Sequence, residues 1–243
     1  MMFPASRKPL RSAALIAAII AFPVAAQETA PIPGDAEDWV VQQTEKAQAF
    51  APALADLQAE AVERVSWSKT IEPCAAPPET LRLYGLQPAT ADRMVAQGIM
   101  DGRYRGGWTF YGETGCPETP VLRFLYVAEA DGRHMMVVVN RGEVISTPSM
   151  MKETSALAGA EAYEAARRAD PDCSVESVVM RRTEIAATDR NLSAPVGGAR
   201  FAGGWSENWR FSACGEMVDV TVRFDTDGKG GTTARIAEVD VDA

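Results

Sequence analysis

The residue in this sequence that is best suited to take part in chemistry is a glutamate in a strand rich in aromatic residues. Trp205, Trp209 and Phe211 alternate with polar residues, so strand parity places Glu207 on their apolar side. A carboxylate there is costly to bury unless it is paired. Glu207 therefore either lines a small aromatic pocket, where it could act as an acid or base, or lies hydrated at the strand edge or paired with an arginine such as Arg210. The strand edge is the simpler interpretation.

Other catalytic and metal-binding patterns are weak. His134 is the only histidine and lies in a strand, HMMVVV. Zinc is not expected, because bridged cysteines would leave too few ligands. Met135 and Met136 point to opposite strand faces, which favours ordinary packing over copper binding. No serine has a GxSxG setting, so a hydrolase triad would have to recruit His134. The sequence predicts no catalytic residue, no metal and no cofactor.

The segment DTDGKGG, residues 225–231, has the alternating aspartates of a calcium loop. Lys229 replaces an oxygen ligand, and Ile236 stands where the closing glutamate belongs. We therefore interpret the segment as a hairpin turn.

A long internal repeat is the strongest pattern in the chain. ATADRMVAQGIMDGRYRGGW, residues 89–108, recurs without a gap as AATDRNLSAPVGGARFAGGW, residues 186–205, with seven of 20 positions identical. Such self-similarity predicts one structural unit used twice. We expect Asp92 to pair with Arg103, and Asp189 with Arg200, across a hairpin in each copy. The GGW triplets are interpreted as strand entries with an anchoring core tryptophan.

The four cysteines follow the same repeat. Cys74 aligns with Cys173, and Cys116 aligns with Cys214, at offsets of 99 and 98 residues. An even number of cysteines in an exported chain predicts disulfides. Spacing alone leaves three connectivities open, but the duplication favours one bridge per copy, Cys74 to Cys116 and Cys173 to Cys214.

Periodicity predicts helix followed by sheet in each copy. A helical stripe runs from Val40 to Val65 and should be kinked or split in two at Pro52, and a second helix is expected at about residues 153–168. Alternating patterns then predict strands, in the second copy at 174–186, 205–211, 218–224 and 232–241, and in the first at 121–127 and 135–139. The expected fold class is α+β, with two tandem repeats, each a helix packed on an antiparallel sheet of about four strands with one disulfide.

The chain ends and the charge indicate an exported protein. Residues 1–26 have the basic start, apolar run and small terminal residues of a signal peptide, and residues 27–34 form a flexible lead-in. Repeat unit 1 is expected at 35–148 and repeat unit 2 at 149–243. Signal removal changes the net charge from -9 to -12, with 21 basic and 33 acidic residues. Nucleic-acid binding is therefore not expected. We expect a periplasmic or secreted bacterial protein that is not membrane-embedded after cleavage.

The second copy carries GGWSENW, ACG and VDVTVRFDTDGKGG at residues 203–209, 213–215 and 218–231. This pattern resembles one in small exported bacterial proteins to which no activity is attached, and the first copy matches it less closely. In architecture alone, the expected units are similar to cystatin-like and nuclear transport factor 2-like folds and to tandem secreted β-lactamase inhibitor proteins. The resemblance covers most of the chain after the signal peptide and brings no activity to carry over to it.

Besides a purely structural component of the envelope, two functions are compatible with these patterns. The first is a non-enzymatic binding module of the bacterial envelope that contacts another protein through a sheet face, a sheet edge or the groove between copies. The second is a small-molecule carrier or minor hydrolytic enzyme with a pocket that involves Glu207. The candidate binding residues are aromatic side chains of both copies together with that glutamate: Trp108, Tyr111, Trp205, Glu207 and Trp209.

Overall fold

The described part of the chain folds into two four-stranded antiparallel sheets and four α-helices. The structure is a computed structural model that describes residues 36–67, 79–117 and 119–242. The helices are α1 (Ala36–Ala47), α2 (Leu54–Trp67), α3 (Arg93–Met100) and α4 (Pro148–Ala169). The strands are β1 (Arg82–Pro88), β2 (Tyr104–Glu113), β3 (Val121–Glu129), β4 (His134–Arg141), β5 (Val179–Thr188), β6 (Gly204–Ala213), β7 (Glu216–Thr226) and β8 (Thr232–Val241).

Each sheet is a simple meander. The first sheet has the order β1-β2-β3-β4 and the second has the order β5-β6-β7-β8, so every strand pairs with its sequence neighbours. Short connections join most of these neighbours, but β1 and β2 are connected through α3, and β5 and β6 are connected by residues 189–203. The mixed α/β character and the antiparallel sheets agree with the sequence prediction.

The first sheet is buried on both faces at its centre. On one face, Phe110 and Phe124 pack against α2. On the other, Leu125 and Val127 pack with Val95 of α3. Because both faces are covered, β2 and β3 are almost continuously buried.

The second sheet is buried on one face. Small residues of α4, Ala158, Ala162 and Ala166, lie in the same core cluster as Trp209 and Val220. Alanines let a helix lie close to a sheet whose own side chains are large. The burial of β6 and β7 therefore alternates residue by residue, and the opposite face remains open.

Most predicted elements occur where periodicity placed them. The predicted long helix is split as expected: α1 passes into a short 3-10 turn, Gln48–Phe50, and α2 begins after Pro52. The second helix starts earlier than predicted, because Thr147 caps it and Pro148 occupies its first turn. The tryptophans of both GGW triplets, Trp108 and Trp205, are buried as expected. The second triplet lies at the start of β6, whereas the first lies inside β2, which begins two residues earlier at Tyr104.

The expected hairpin within the repeated segment does not form in the first copy, and in the second copy it is reduced to one antiparallel bridge, Val196 to Ala199. In the first copy this segment forms α3, and Asp92 caps it by accepting from Met94 N and Val95 N. In the second copy the aligned residues are irregular, because Pro195 and the left-handed Gly197, at φ 55°, are incompatible with a helix. Similar sequences therefore adopt different local structures.

The two predicted cross-strand ion pairs are also wrong. Arg103 pairs with Asp101 instead of Asp92. Asp189 pairs with Arg223, while Arg200 donates to the carbonyl of Ser193. Asp92 is occupied as the cap of α3, and Asp189 and Arg200 bind other partners around the irregular segment, so neither predicted pair forms.

The second predicted disulfide is present. Cys173 and Cys214 are bonded, with Cα atoms 5.5 Å apart and a sequence separation of 41. Cys116 is also disulfide-bonded, but its predicted partner Cys74 lies outside the described residues. Among the helices of the described ranges, none is long and apolar enough to cross a membrane.

Candidate functional site

Glu207 is a fully buried carboxylate with five hydrogen-bond donors. Its Oε1 accepts from Ile145 N at 2.9 Å, Ser146 N at 2.7 Å and Trp205 Nε1 at 2.9 Å. Its Oε2 accepts from the Ser146 hydroxyl at 2.8 Å and Trp209 Nε1 at 3.0 Å. Strand parity places both indoles beside the carboxylate, and the segment after β4 supplies the other donors.

The expected edge position of Glu207 is therefore wrong. The side chain is 0% exposed, and Arg210 instead binds Asp219 and Asp242. Burial agrees with the alternative of an aromatic setting, but the acceptor capacity of a carboxylate is used up by five donors from the chain itself. Glu207 joins β6 to residues 142–149, which run from the end of β4 into the first turn of α4 and are called the linker below.

A buried arginine on the first sheet holds the same linker residue. Arg123 is 3% exposed, and its Nη1 donates to the carbonyl of Ser146 at 2.5 Å. Its guanidinium lies 5.8 Å from the ring centre of Tyr111. Burial lowers the pKa of Arg123, while the nearby Tyr111, Glu207 and Asp92 act in the opposite direction. Ser146 thus lies between a buried cation and a buried anion: its carbonyl accepts from Arg123, and its N–H and hydroxyl donate to Glu207.

Sequence reasoning missed Arg123, although a signal was present. It is the single charged residue in the apolar run VLRFLYV of β3. A charge in such a run is costly unless it has partners, as for Glu207.

A second buried carboxylate binds the far end of the linker. Asp92 Oδ1 accepts from the Ser149 hydroxyl at 2.9 Å, and Oδ2 accepts from Ser149 N at 2.7 Å. The same carboxylate caps α3. Asp92 of the first copy and Glu207 of the second therefore both hold the linker.

The edges of the two sheets also meet beside the linker. Gly142 forms an isolated parallel bridge with Thr183 of β5. The Asn140 amide donates to the Thr183 hydroxyl at 2.7 Å, and that hydroxyl donates to the carbonyl of Arg141 at 3.0 Å. A Cβ on Gly142 would lie 1.9 Å from the Thr183 carbonyl oxygen, so only glycine fits this approach.

The four aromatic candidate residues are interior. Trp108 and Trp205 are 2% exposed, Trp209 is 0% and Tyr111 is 9%. The Tyr111 hydroxyl donates to the Val144 carbonyl at 2.9 Å. Their assignment as binding residues stays a prediction, and the geometry gives them internal packing and hydrogen-bonding roles.

The open side of the second sheet is polar and is called the outer face below. It comprises alternate residues of the two central strands, flanked by exposed charges on the edge strands: Ser206, Asn208, Arg210, Ser212, Asp219, Thr221, Arg223 and Asp225, with Glu184 of β5 and Arg235 and Glu238 of β8. Two forked ion pairs order it. Arg210 binds both oxygens of Asp219 at 2.8 and 2.5 Å, and Arg223 binds both oxygens of Asp189 at 3.0 and 2.6 Å.

These ion pairs shift the titration of their members. The hydrogen bond to Asp219 raises the pKa of Arg210. The hydrogen bonds to Asp189 and Asp225 raise the pKa of Arg223. The hydrogen bond from Arg223 lowers the pKa of Asp189. The central arginines therefore stay charged and keep a fixed orientation on the face.

The remaining candidates for chemistry have ordinary structural contacts. His134 bonds to Glu60 of α2 at 2.7 Å and stacks on Tyr126 at 5.1 Å. Asp227 accepts from Lys229 N and Gly231 N within the turn between β7 and β8, which confirms the hairpin interpretation. Over the described ranges, no cluster of three or more acidic, histidine or cysteine side chains could hold a metal ion.

Comparisons of the chain with protein families, with curated proteins and with solved structures found no match.

Proposed function

We propose that this protein is an exported, non-enzymatic binding module of the bacterial envelope that contacts another protein through the outer face. One observation carries this proposal. On the outer face, every second side chain of the central strands β6 and β7 is partly accessible, whereas the central strands of the first sheet are buried over most of their length. A sheet face of that kind can be contacted without rearrangement of the core.

The chemistry of the outer face suits a protein partner. Arginine is enriched in protein interfaces, and forked arginine–carboxylate pairs fix side-chain geometry before contact. Arg210 and Arg223 are each held in this way. Less side-chain entropy is then lost when a partner binds.

We also infer a tandem of two units, residues 35–148 and 149–243, each with its own helix layer, four-stranded sheet and disulfide. The gapless repeat, the matched strand orders and the Cys173–Cys214 bond support this interpretation. Export by the segment 1–26, which lies outside the described residues, is supported by the oxidised cysteines.

The alternative function, a carrier or minor hydrolase that uses Glu207, has less support. Both oxygens of Glu207 are bonded to donors of the chain itself. A substrate would have to displace at least one of them.

Affinity capture from an envelope extract tests the binding proposal. The immobilised protein should retain a partner saturably. Thr221→Arg, at the centre of the outer face, and Glu184→Arg, beside it, should weaken capture at least about tenfold, because each places a bulky new charge in the contact.

The matched control is Lys152→Glu, an exposed substitution on α4, which packs against the inner face. It should leave capture unchanged. Absence of a saturable partner, or equal capture by the folded outer-face variants and the wild type, would exclude this surface as the binding site.

A further inference from the structure

The last strand presents a free sheet edge. β8 pairs with β7 on one side, and within the described part of the chain no strand pairs with its other side. Its ten residues, Thr232–Val241, are half-buried or exposed throughout. An open edge has unpaired backbone N–H and C=O groups that can template a further strand.

A bulge in β8 determines which side chains share a face. Glu238 lies opposite Thr221 and Ile236 lies opposite Val222, so Ala237 is an extra residue. Before it, Arg235 belongs to the outer face and Ala234 to the inner one. After it, Glu238 belongs to the outer face, whereas without the bulge it would point inward.

We propose that β8 pairs antiparallel with β8 of a second copy of this chain, in the two-fold register that sets Arg235 of each copy opposite Glu238 of the other. This register keeps the faces matched: Ala234 lies opposite Val239 on the inner side, and Thr233 opposite Asp240 on the outer side. All ten residues of each strand are then paired. A register shifted by one residue would set inward-pointing side chains of one copy opposite outward-pointing side chains of the other. The reason is that odd-numbered residues of β8 point outward before the bulge and even-numbered residues point outward after it.

The charged side chains of β8 favour a second copy of the chain as the partner of this edge. Among the described residues of one chain, the acid that Arg235 reaches is Asp225, at 3.6 Å from Nε, and that aspartate already binds Arg223 at 2.8 Å. The Arg235 side chain is 65% exposed. Two-fold pairing gives it Glu238 of the other copy directly across the strands, and symmetry provides the contact twice.

The resulting dimer would have one continuous eight-stranded sheet with both α4 helices on the same side. The outer faces of two copies would become one surface. This inference does not depend on the proposed binding function, because self-association is measured without any other partner.

Sedimentation equilibrium of the purified protein tests the pairing. The wild type should form a dimer. Arg235→Glu and Glu238→Arg should each raise the dimer Kd at least about tenfold, because each sets like charges opposite each other twice. The double variant, with both substitutions, should restore the dimer, since the charges are exchanged across the same contacts.

The matched control is Arg182→Glu on β5, the edge strand at the other side of the same sheet, which should leave the dimer unchanged. Far-ultraviolet circular dichroism identifies any variant that fails to fold. A monomeric wild type at millimolar concentration would overturn the proposal. Single variants that dimerise normally, or a folded double variant that stays monomeric, would also overturn it.

Discussion

Phe110 and Glu207 stand two residues after the tryptophan of their GGW triplet, yet their roles differ. Phe110 stacks on Phe124, with ring centres 5.0 Å apart, while Glu207 gathers five donors from the linker and two indoles. Both side chains are fully buried. The same strand position therefore serves apolar packing in one sheet and attachment of the linker in the other.

Removal of the Glu207 carboxylate should be strongly destabilising. Glu207→Leu leaves the five donors without their acceptor, and we expect a loss of about 3–5 kcal/mol in the free energy of unfolding. Glu207→Gln keeps the size but points an amide donor at other donors, so it should also destabilise the protein. Urea unfolding followed by tryptophan fluorescence measures both.

Glu184→Gln is the matched control, because Glu184 is exposed on the same sheet; its effect should stay within about 0.5 kcal/mol. A Glu207→Leu protein as stable as this control would show that the hydrogen-bond network is dispensable.

The position of Glu207 beside the two indoles could be predicted, but its partners in the linker could not. Alternation along β6 is a local property and identifies the face. The Ser146 donors lie 61 residues away in sequence, and only the path of the linker brings them to the carboxylate. Arg123 could have been suspected for the same local reason as Glu207, whereas its bond to Ser146 depends on the same nonlocal path.

The ion pair of Asp189 should make the free energy of unfolding decrease at acid pH. Its pKa is lowered from the ordinary 3.8 by the hydrogen bond from Arg223. The stabilisation is therefore present above pH 3.8 and is lost as the pH falls through the lower folded-state value. Asp189→Asn should flatten this part of the profile of unfolding free energy against pH. Parallel profiles for the variant and the wild type would rule out the contribution.

At the scale of elements, the repeat predicts strands better than it predicts connections. Strands occur in both copies, although burial alternates along β6 and β7, where one sheet face is covered, and is nearly continuous along β2 and β3, where both faces are covered. The connection is α3 in one copy and an irregular segment in the other, since Pro195 and Gly197 replace helix-compatible residues. Pro195 and Gly197 thus prevent the second copy from forming the helix that the similar sequence of the first copy forms.

The junction of β4 with β5 should be sensitive to a single methyl group. Gly142→Ala introduces a Cβ 1.9 Å from the Thr183 carbonyl, at φ 98°. Gly132→Ala is the matched control, because its φ is 89° and nothing lies within 4 Å of its Cβ. Both variants carry backbone strain of about 1–2 kcal/mol.

Beyond this shared strain, Gly142→Ala should be less stable than the control by about 2 kcal/mol or more, because its new Cβ clashes with the Thr183 carbonyl oxygen. Thermal or urea unfolding measures the difference. Equal stabilities would mean that the sheet edges separate at little cost.

At the scale of the whole molecule, the linker makes the two sheets interdependent. It is bonded to Asp92 and Arg123 on one side and to Glu207 on the other. A chain built from a repeat could unfold one unit at a time, but here either sheet would lose buried polar partners if the other opened. We therefore expect one cooperative unit.

Native-state hydrogen exchange tests this cooperativity. Amides of Phe124 in β3 and Val220 in β7 should exchange with the same free energy in the wild type, within about 1 kcal/mol, because both require global opening. In Glu207→Leu the two values should separate. Clearly different values in the wild type would contradict the coupling.

The position of Ser146 between Arg123 and Glu207 also bears on the order of folding during synthesis. The ribosome completes β3 and the linker before it reaches β6, and 61 residues separate Ser146 from its carboxylate partner. Until Glu207 emerges, the backbone N–H and the hydroxyl of Ser146 lack their carboxylate acceptor, so the linker cannot complete the buried hydrogen bonds that it makes in the folded protein. We therefore expect the first sheet to be less stable before the C-terminal sheet is made, and a nascent chain halted before β6 should be more open to proteases and chaperones than the full chain.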